Sequence, residues 1–267
     1  MTKCVLITGA TDGIGLETAK RLVTDGHRVL VHGRNPEKVS RSESLLNGLV
    51  PGALVESVVA DLSRLQDVTA LADAVLERQH PPQVLINNAG VYGAPNPKTA
   101  DGLDVRFAVN TIAPYLLARR LSAQLGSSGR VINVSSAAQS PVSLDALAGR
   151  EELSDGEAYA QSKLAITMWT HALAKASPSG PVIVAVNPGS LLASKMVKSA
   201  FGIAGNDLSI GADILSRAAT EAEFAEASGR YFDNDSGRFA PPHPDGTDQA
   251  KCRAIVEAIE TILREVG

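Results

Sequence analysis

Residues 4–15, CVLITGATDGIG, run from a short apolar stretch into a turn carrying Gly9, Gly13 and Gly15, and a helical pattern, LETAKRLVTDG, follows at once. The apolar run predicts a buried strand, the glycines a tight turn, and Gly26 the residue that ends the helix. Such a strand-turn-helix brings backbone N–H groups and a helix N-terminus up to a pyrophosphate. Gly9, Thr11, Asp12, Gly13, Ile14 and Gly15 are therefore candidate dinucleotide contacts. A glycine-rich turn that binds nothing would look the same in isolation.

Outward from this turn the alternation continues. Apolar or β-branched runs at 4–8, 28–32, 54–60, 84–87, 130–134 and 182–186 are separated by stretches with Ala, Leu, Arg and Glu at helical spacing. Six such units predict an α/β fold, a doubly wound parallel sheet with helices on both faces, in a single domain spanning 1–267. The dinucleotide part would occupy about 1–150. Ligands of such sheets bind beyond the carboxyl ends of the strands. Residues 228–248 are rich in Gly, Pro and Asp and read as a surface loop leading to a closing helix at 249–266.

With 25 Lys and Arg against 29 Asp and Glu, the net charge of −4 offers no basic track for nucleic acid. The apolar stretch after Met1 is too short for a leader, and no apolar run approaches the roughly 20 residues needed to span a bilayer. A soluble, cytoplasmic protein is expected. Cys4 and Cys252 show neither a disulfide framework nor metal-ligand spacing, so no metal is expected.

Tyr159 and Lys163 stand four apart in YAQSK, after a Ser154-x-x-Glu157 capping box, and so share one face near the start of a helix. Hydride chemistry at a carbonyl carbon needs a matching proton at oxygen. A tyrosine can supply it where a neighbouring cation favours its phenolate. Taken alone, the pair could equally be a surface Tyr-Lys. Trp169 and His171 read as packing residues of the same helix, and no Gly-x-Ser-x-Gly elbow supports a hydrolase triad.

At the end of the second strand, where NAD-specific enzymes of this build place a carboxylate for the ribose 2′-hydroxyl, the chain has Gly33 and then Arg34. A guanidinium there suits a 2′-phosphate and predicts NADPH over NADH.

Residues 8–15 match TGxxxGIG. After them come Asp61 and Leu62, NNAG at 87–90, Asn110, Ser135 and Ser136, YAQSK, and Asn187, Pro188 and Gly189. In this order the motifs resemble the short-chain dehydrogenase/reductase family over about the first 195 residues. The long stretch between Ser136 and Tyr159, with YFDNDSG at 231–237, resembles its retinol-dehydrogenase-like branch. The resemblance implies a Rossmann-like fold and NADP(H)-dependent hydride transfer between nicotinamide and a small or medium apolar alcohol or carbonyl substrate.

It also implies roles. Tyr159 would be the general acid/base, and Lys163 would tune it and bond the nicotinamide ribose. Ser136, rather than Ser135, would donate to the substrate oxygen, and Asn110 would hold a water reaching Lys163. Asp61, Leu62, Asn88, Ala89, Gly90, Pro188 and Gly189 would contact the cofactor. The family often has a Thr after Pro-Gly to hold the nicotinamide amide. Here the candidates are Ser190, Ala193 and Ser194, with Ser194 favoured. Residues 190–207 would form the substrate loop, and a homo-oligomer would assemble through the helices around Asn110 and Tyr159. A non-catalytic dinucleotide sensor and a sugar-nucleotide epimerase or dehydratase are the alternatives. The Ser136, Tyr159 and Lys163 set argues against the first, and the glycine spacing and short C-terminal part against the second.

Overall fold

The computed structural model describes residues 2–193, 202 and 205–266. Eight strands form one sheet in the order β3-β2-β1-β4-β5-β6-β7-β8. They are β1 (Cys4–Ile7), β2 (Arg28–Gly33), β3 (Val55–Val59), β4 (Val84–Asn87), β5 (Arg130–Val134), β6 (Val182–Asn187), β7 (Tyr231–Asp233) and β8 (Arg238–Phe239). The first seven run parallel and β8 is antiparallel to β7. The chain winds outward from β1 to β3, then returns to start β4 on the other side of β1. Strand order thus reverses between β1 and β4, where open α/β sheets bind ligands.

All four residues of β1 are buried because both faces of the sheet are covered. Val5, Ile7, Val31, Ile86 and Val184 point to one layer, packed with α1 (Gly13–Thr24) and the helix Leu208–Thr220, here α8. Leu6, Leu30, Leu85, Val131 and Ile183 point to the other. That layer holds α3 (Leu65–Leu76), α5 (Ala113–Leu125), α7 (Asp155–Ala176) and the last helix, α9 (Gln249–Val266). The remaining helices are α2 (Pro36–Asn47) and the short α4 (Val105–Phe107) and α6 (Leu144–Leu147). Gly26, at φ +80°, ends α1, with His27 N–H bonded to the Leu22 carbonyl.

Between α4 and α5 the rod loosens into a π turn, Ala108–Ile112. The α-helical partner of the Asn110 carbonyl would be the N–H of residue 114, which is proline.

The expectation of a surface loop at 228–248 is corrected. β7 and β8 extend the sheet there, with Ala185↔Tyr231 and Phe232↔Phe239 in register. Two- and three-residue strands show no periodicity, and what recruits them is the open edge of β6. Among the described residues no helix is long and apolar enough to cross a membrane.

Candidate active site

A cleft of about 800 Å³ lies across the carboxyl ends of the parallel strands. Its walls include Gly9, Thr11, Asp12, Gly13, Ile14, Gly15, Arg34, Asp61, Leu62, Asn88, Ala89, Gly90, Ser136, Tyr159, Lys163, Pro188 and Gly189. Residues dispersed over 181 positions of sequence thus face one space.

Close packing holds the glycine turn. Gly9 has φ +67°, and a Cβ there would fall 2.8 Å from Ala89 Cα. A Cβ on Gly15 would fall 2.5 Å from the Gly9 carbonyl oxygen and closer still to Asn88 Nδ2. That Asn88 amide donates to the Thr8 and Gly9 carbonyls at 2.9 and 3.1 Å, while Thr8 Oγ1 accepts the Asn88 and Ala89 N–H groups. The turn is knitted to the end of β4, which leaves the N-terminus of α1 facing the cleft. Gly15→Ala should therefore cost about 1–3 kcal/mol of stability through overpacking, beyond any loss of binding. A thermal midpoint equal to that of the parent chain would refute this.

His32, which sequence reading passed over as an ordinary strand residue, is 2 % exposed beneath this turn. Its Nδ1 accepts the Gly9 N–H at 3.3 Å, which leaves Nε2 to donate to the Ala60 carbonyl at 3.1 Å. Burial pushes its pKa down to about 4. The neutral ring struts the glycine turn against the end of β3. Next to it, a Cβ on Gly33 would fall 2.6 Å from Thr11 Cγ2, so no longer side chain fits there. Arg34 is exposed at the rim, and Asp61 accepts from the Ser63 N–H and hydroxyl at 3.0 and 2.8 Å.

At the other end of the cleft, Tyr159 lies on the first turns of α7, whose N-terminus is set by the Ser154–Glu157 capping box. The buried Arg106 guanidinium adds a second tether, reaching Asp155 at 2.5 Å and Asp104 at 2.6 Å. Lys163 is buried one turn beyond Tyr159 with its Nζ 5.7 Å from the Tyr159 ring centre. This Nζ donates to the Val134 carbonyl at 2.7 Å, and burial lowers its pKa to about 8.

Contrary to the expected lowering, the Tyr159 phenol is held above its ordinary value. Burial is the larger influence, and a hydrogen bond with Ser136 pulls the other way. Tyr92, also missed by sequence reading, packs its ring 5.1 Å from that of Tyr159.

The two serines part company. Ser135 is buried and bonds the Lys163 carbonyl and the Thr167 hydroxyl at 3.0 and 2.8 Å, whereas Ser136 meets Tyr159. The Asn110 side chain lies behind Val91, which lines the cleft. Its side chain is spent on both backbone groups of Val91, at 2.8 and 2.9 Å, and on the Ser162 hydroxyl at 3.0 Å. It braces the loop after β4 against α7. Of the three candidates for the nicotinamide amide, the Ser190 hydroxyl is already bonded to Asp235 at 2.6 Å, and Ser194 lies outside the described residues. Ala193 has no polar side chain, and its N–H bonds the Asn206 carbonyl. Trp169 packs edge-on against Tyr115, and His171 bonds the Gly229 carbonyl, as packing residues do.

The short chain dehydrogenase family model matches residues 3–205. Bovine retinol dehydrogenase 12 is 37% identical over 204 residues, which cover 74% of this chain and 64% of that protein, less than two thirds of its length. Among solved structures, an uncharacterised protein from Mycobacterium paratuberculosis superposes with a TM-score of 0.80 at 27% identity, covering 98% of this chain and 93% of that one. An actinorhodin polyketide ketoreductase variant with NADPH gives 0.68 at 23% identity, covering 87% and 95%, which speaks to the fold alone. With its glycine turn, Tyr159 and Lys163 in one cleft, the chain belongs to the short-chain dehydrogenase/reductase family of oxidoreductases, on its retinol-dehydrogenase-like branch.

Proposed function

We propose that the chain interconverts an alcohol and its carbonyl compound with NADP(H), with Tyr159 as proton donor or acceptor at the substrate oxygen. The observation that carries this is the sharing of one cleft by the knitted glycine turn and the Tyr159, Ser136 and Lys163 set. The cleft fits a dinucleotide on its own geometry. Gly9, Gly15 and Gly33 let the turn pack against Ala89, Asn88 and Thr11, where a Cβ would collide, and this keeps the N-terminus of α1 toward the cleft for a pyrophosphate, its first N–H, that of Gly13, being taken up by Asp12. Gly13, Ile14, Asn88, Gly90, Pro188 and Gly189 would line the bound molecule. The cofactor supplies or accepts the hydride.

The chain's own residues handle the proton. Ser136 can donate to or accept from the substrate oxygen, and Tyr159 beside it exchanges the proton. Lys163, buried with its Nζ 5.7 Å from the Tyr159 ring centre, would stabilise the phenolate and would also hold the nicotinamide ribose. Val91, Tyr92, Val109, Ala137, Leu191 and Leu192 make the reacting end apolar, which suits a small or medium apolar substrate.

Gly33 and Arg34 favour NADPH. A charge-assisted bond of roughly 1.5–3 kcal/mol means that Arg34→Ala should weaken NADPH binding about ten- to a hundredfold and leave NADH nearly unchanged. Equal losses, or a parent chain that prefers NADH, would overturn the assignment.

The deciding experiment follows NADPH oxidation against aldehydes, ketones, quinones and steroids, with NADH in parallel. Turnover of at least one carbonyl supports the proposal. Tight NADPH binding with a silent panel would favour a dinucleotide sensor. An oligomer through the helices around Asn110 and Tyr159 has an obstacle, since α9 packs Cys252, Ile255, Ile259 and Ile262 into the layer that contains α7, and Glu260 bonds Tyr115 of α5 at 2.5 Å.

A further inference from the structure

The turn between β7 and β8, within YFDNDSG at 231–237, bonds residues in two walls of the cleft. The Asp235 carboxylate accepts the Ser190 backbone N–H at 2.8 Å, the Ser190 hydroxyl at 2.6 Å and Asn187 Nδ2 at 2.9 Å. Asp233 takes the other proton of the same Asn187 amide at 2.8 Å, and Asn234 Nδ2 donates to the Pro188 carbonyl at 3.0 Å. Separately, the Tyr231 hydroxyl donates to the Ser136 carbonyl at 3.1 Å.

The fastened segment needs such support. Gly189 has φ +121° and Leu191 φ +53°, a backbone that ordinary residues adopt only when something holds it. Charge-assisted hydrogen bonds to a carboxylate are well suited to do so. Burial pushes the Asp235 carboxyl up, but the Ser190 and Asn187 bonds outweigh it and hold the group below its ordinary value. The adenine end of the cleft, with the glycine turn, Arg34 and Asp61, lies across the sheet at β1, β2 and β3.

We propose that Asp235 is a positioning residue for the nicotinamide half of the cleft: by anchoring Asn187 and Ser190 it fixes the Pro188–Gly189 turn opposite Tyr159, while Tyr231 fixes the backbone of Ser136. The inference rests on the dinucleotide reading above. It divides the cleft into two halves with separate supports, His32 and Asn88 for one and the 231–237 turn for the other.

The test uses the full chain and two ligands, NADPH and adenosine 2′,5′-bisphosphate, which carries the adenine end without the nicotinamide. Asp235→Ala should raise the Kd of NADPH about tenfold and lower kcat, and should leave the Kd of the bisphosphate within about twofold. Asp235→Asn, which keeps the size and one acceptor, should move both quantities in the same direction by less, and it serves if the alanine variant folds poorly. Tyr231→Phe should lower kcat with little change in either Kd. Equal losses for the two ligands, or no loss for either, would overturn the positioning role while the dinucleotide reading stands. A parent chain that binds neither ligand would overturn both.

Discussion

Replacing Tyr159 by Phe is expected to lower kcat by about 10²–10⁴ while leaving the Kd of NADPH within a few-fold, the loss associated with a general acid or base. The side chain keeps its ring, so its packing against Tyr92 survives, and what is removed is the hydroxyl with its proton and its hydrogen bond with Ser136. Lys163→Met should do more. It removes the cation that must stabilise the phenolate and should also raise the KM for NADPH. In the structure burial holds the Tyr159 phenol above its ordinary pKa, and the Lys163 ammonium is bonded to the Val134 carbonyl. Comparing Ser136→Ala with Ser135→Ala completes the set. The first should lose most of the turnover, and the second should act mainly on stability, because Ser135 is tied to Lys163 and Thr167. Near-normal turnover in Tyr159→Phe would remove the residue from the mechanism.

Acid should destabilise the fold through His32. In the folded chain its pKa is about 4, and in the unfolded chain it returns to the ordinary 6.5. Between those values the unfolded chain binds the extra proton and the folded chain does not. Stability is therefore fully present above pH 6.5 and falls as pH drops toward 4, by about 3 kcal/mol from this group alone. Protonation would also take away the Nδ1 lone pair that accepts the Gly9 N–H, so the glycine turn should loosen in the same range. The measurement is the unfolding free energy from pH 7 to 4.5 for the parent chain and for His32→Gln. The variant's curve should be flatter, and parallel curves would show that carboxylates carry the whole acid response.

The core strands and the two ends of the cleft were legible in the sequence because each has a local cause. β1 is buried on both faces and reads as an unbroken apolar run, β4 and β5 read as apolar runs broken only by Asn87, Arg130 and Asn133, and Ser154 with Glu157 marks where α7 begins. What escaped notice depends on partners far along the chain. His32 sits in a strand like any other until the fold puts Gly9 on one side of its ring and Ala60 on the other. β7 and β8 exist because β6 has an open edge. Asn110 illustrates a mixed case. Its position four residues before Pro114 is plain in the sequence, but whether its amide faces the cleft or the Val91 backbone is settled only in three dimensions.

The seal that α9 places over the catalytic layer bears on how the molecule is made. Tyr159 and Lys163 leave the ribosome some ninety residues before Cys252, Ile255, Ile259 and Ile262, the side chains that finish the packing of the layer containing α7. During that interval a growing chain can pair β1 to β6 and form α7, yet an apolar stripe of that layer is open to water. The nascent protein is then at its most prone to clump, and its cleft gains firm backing only when the last helix arrives.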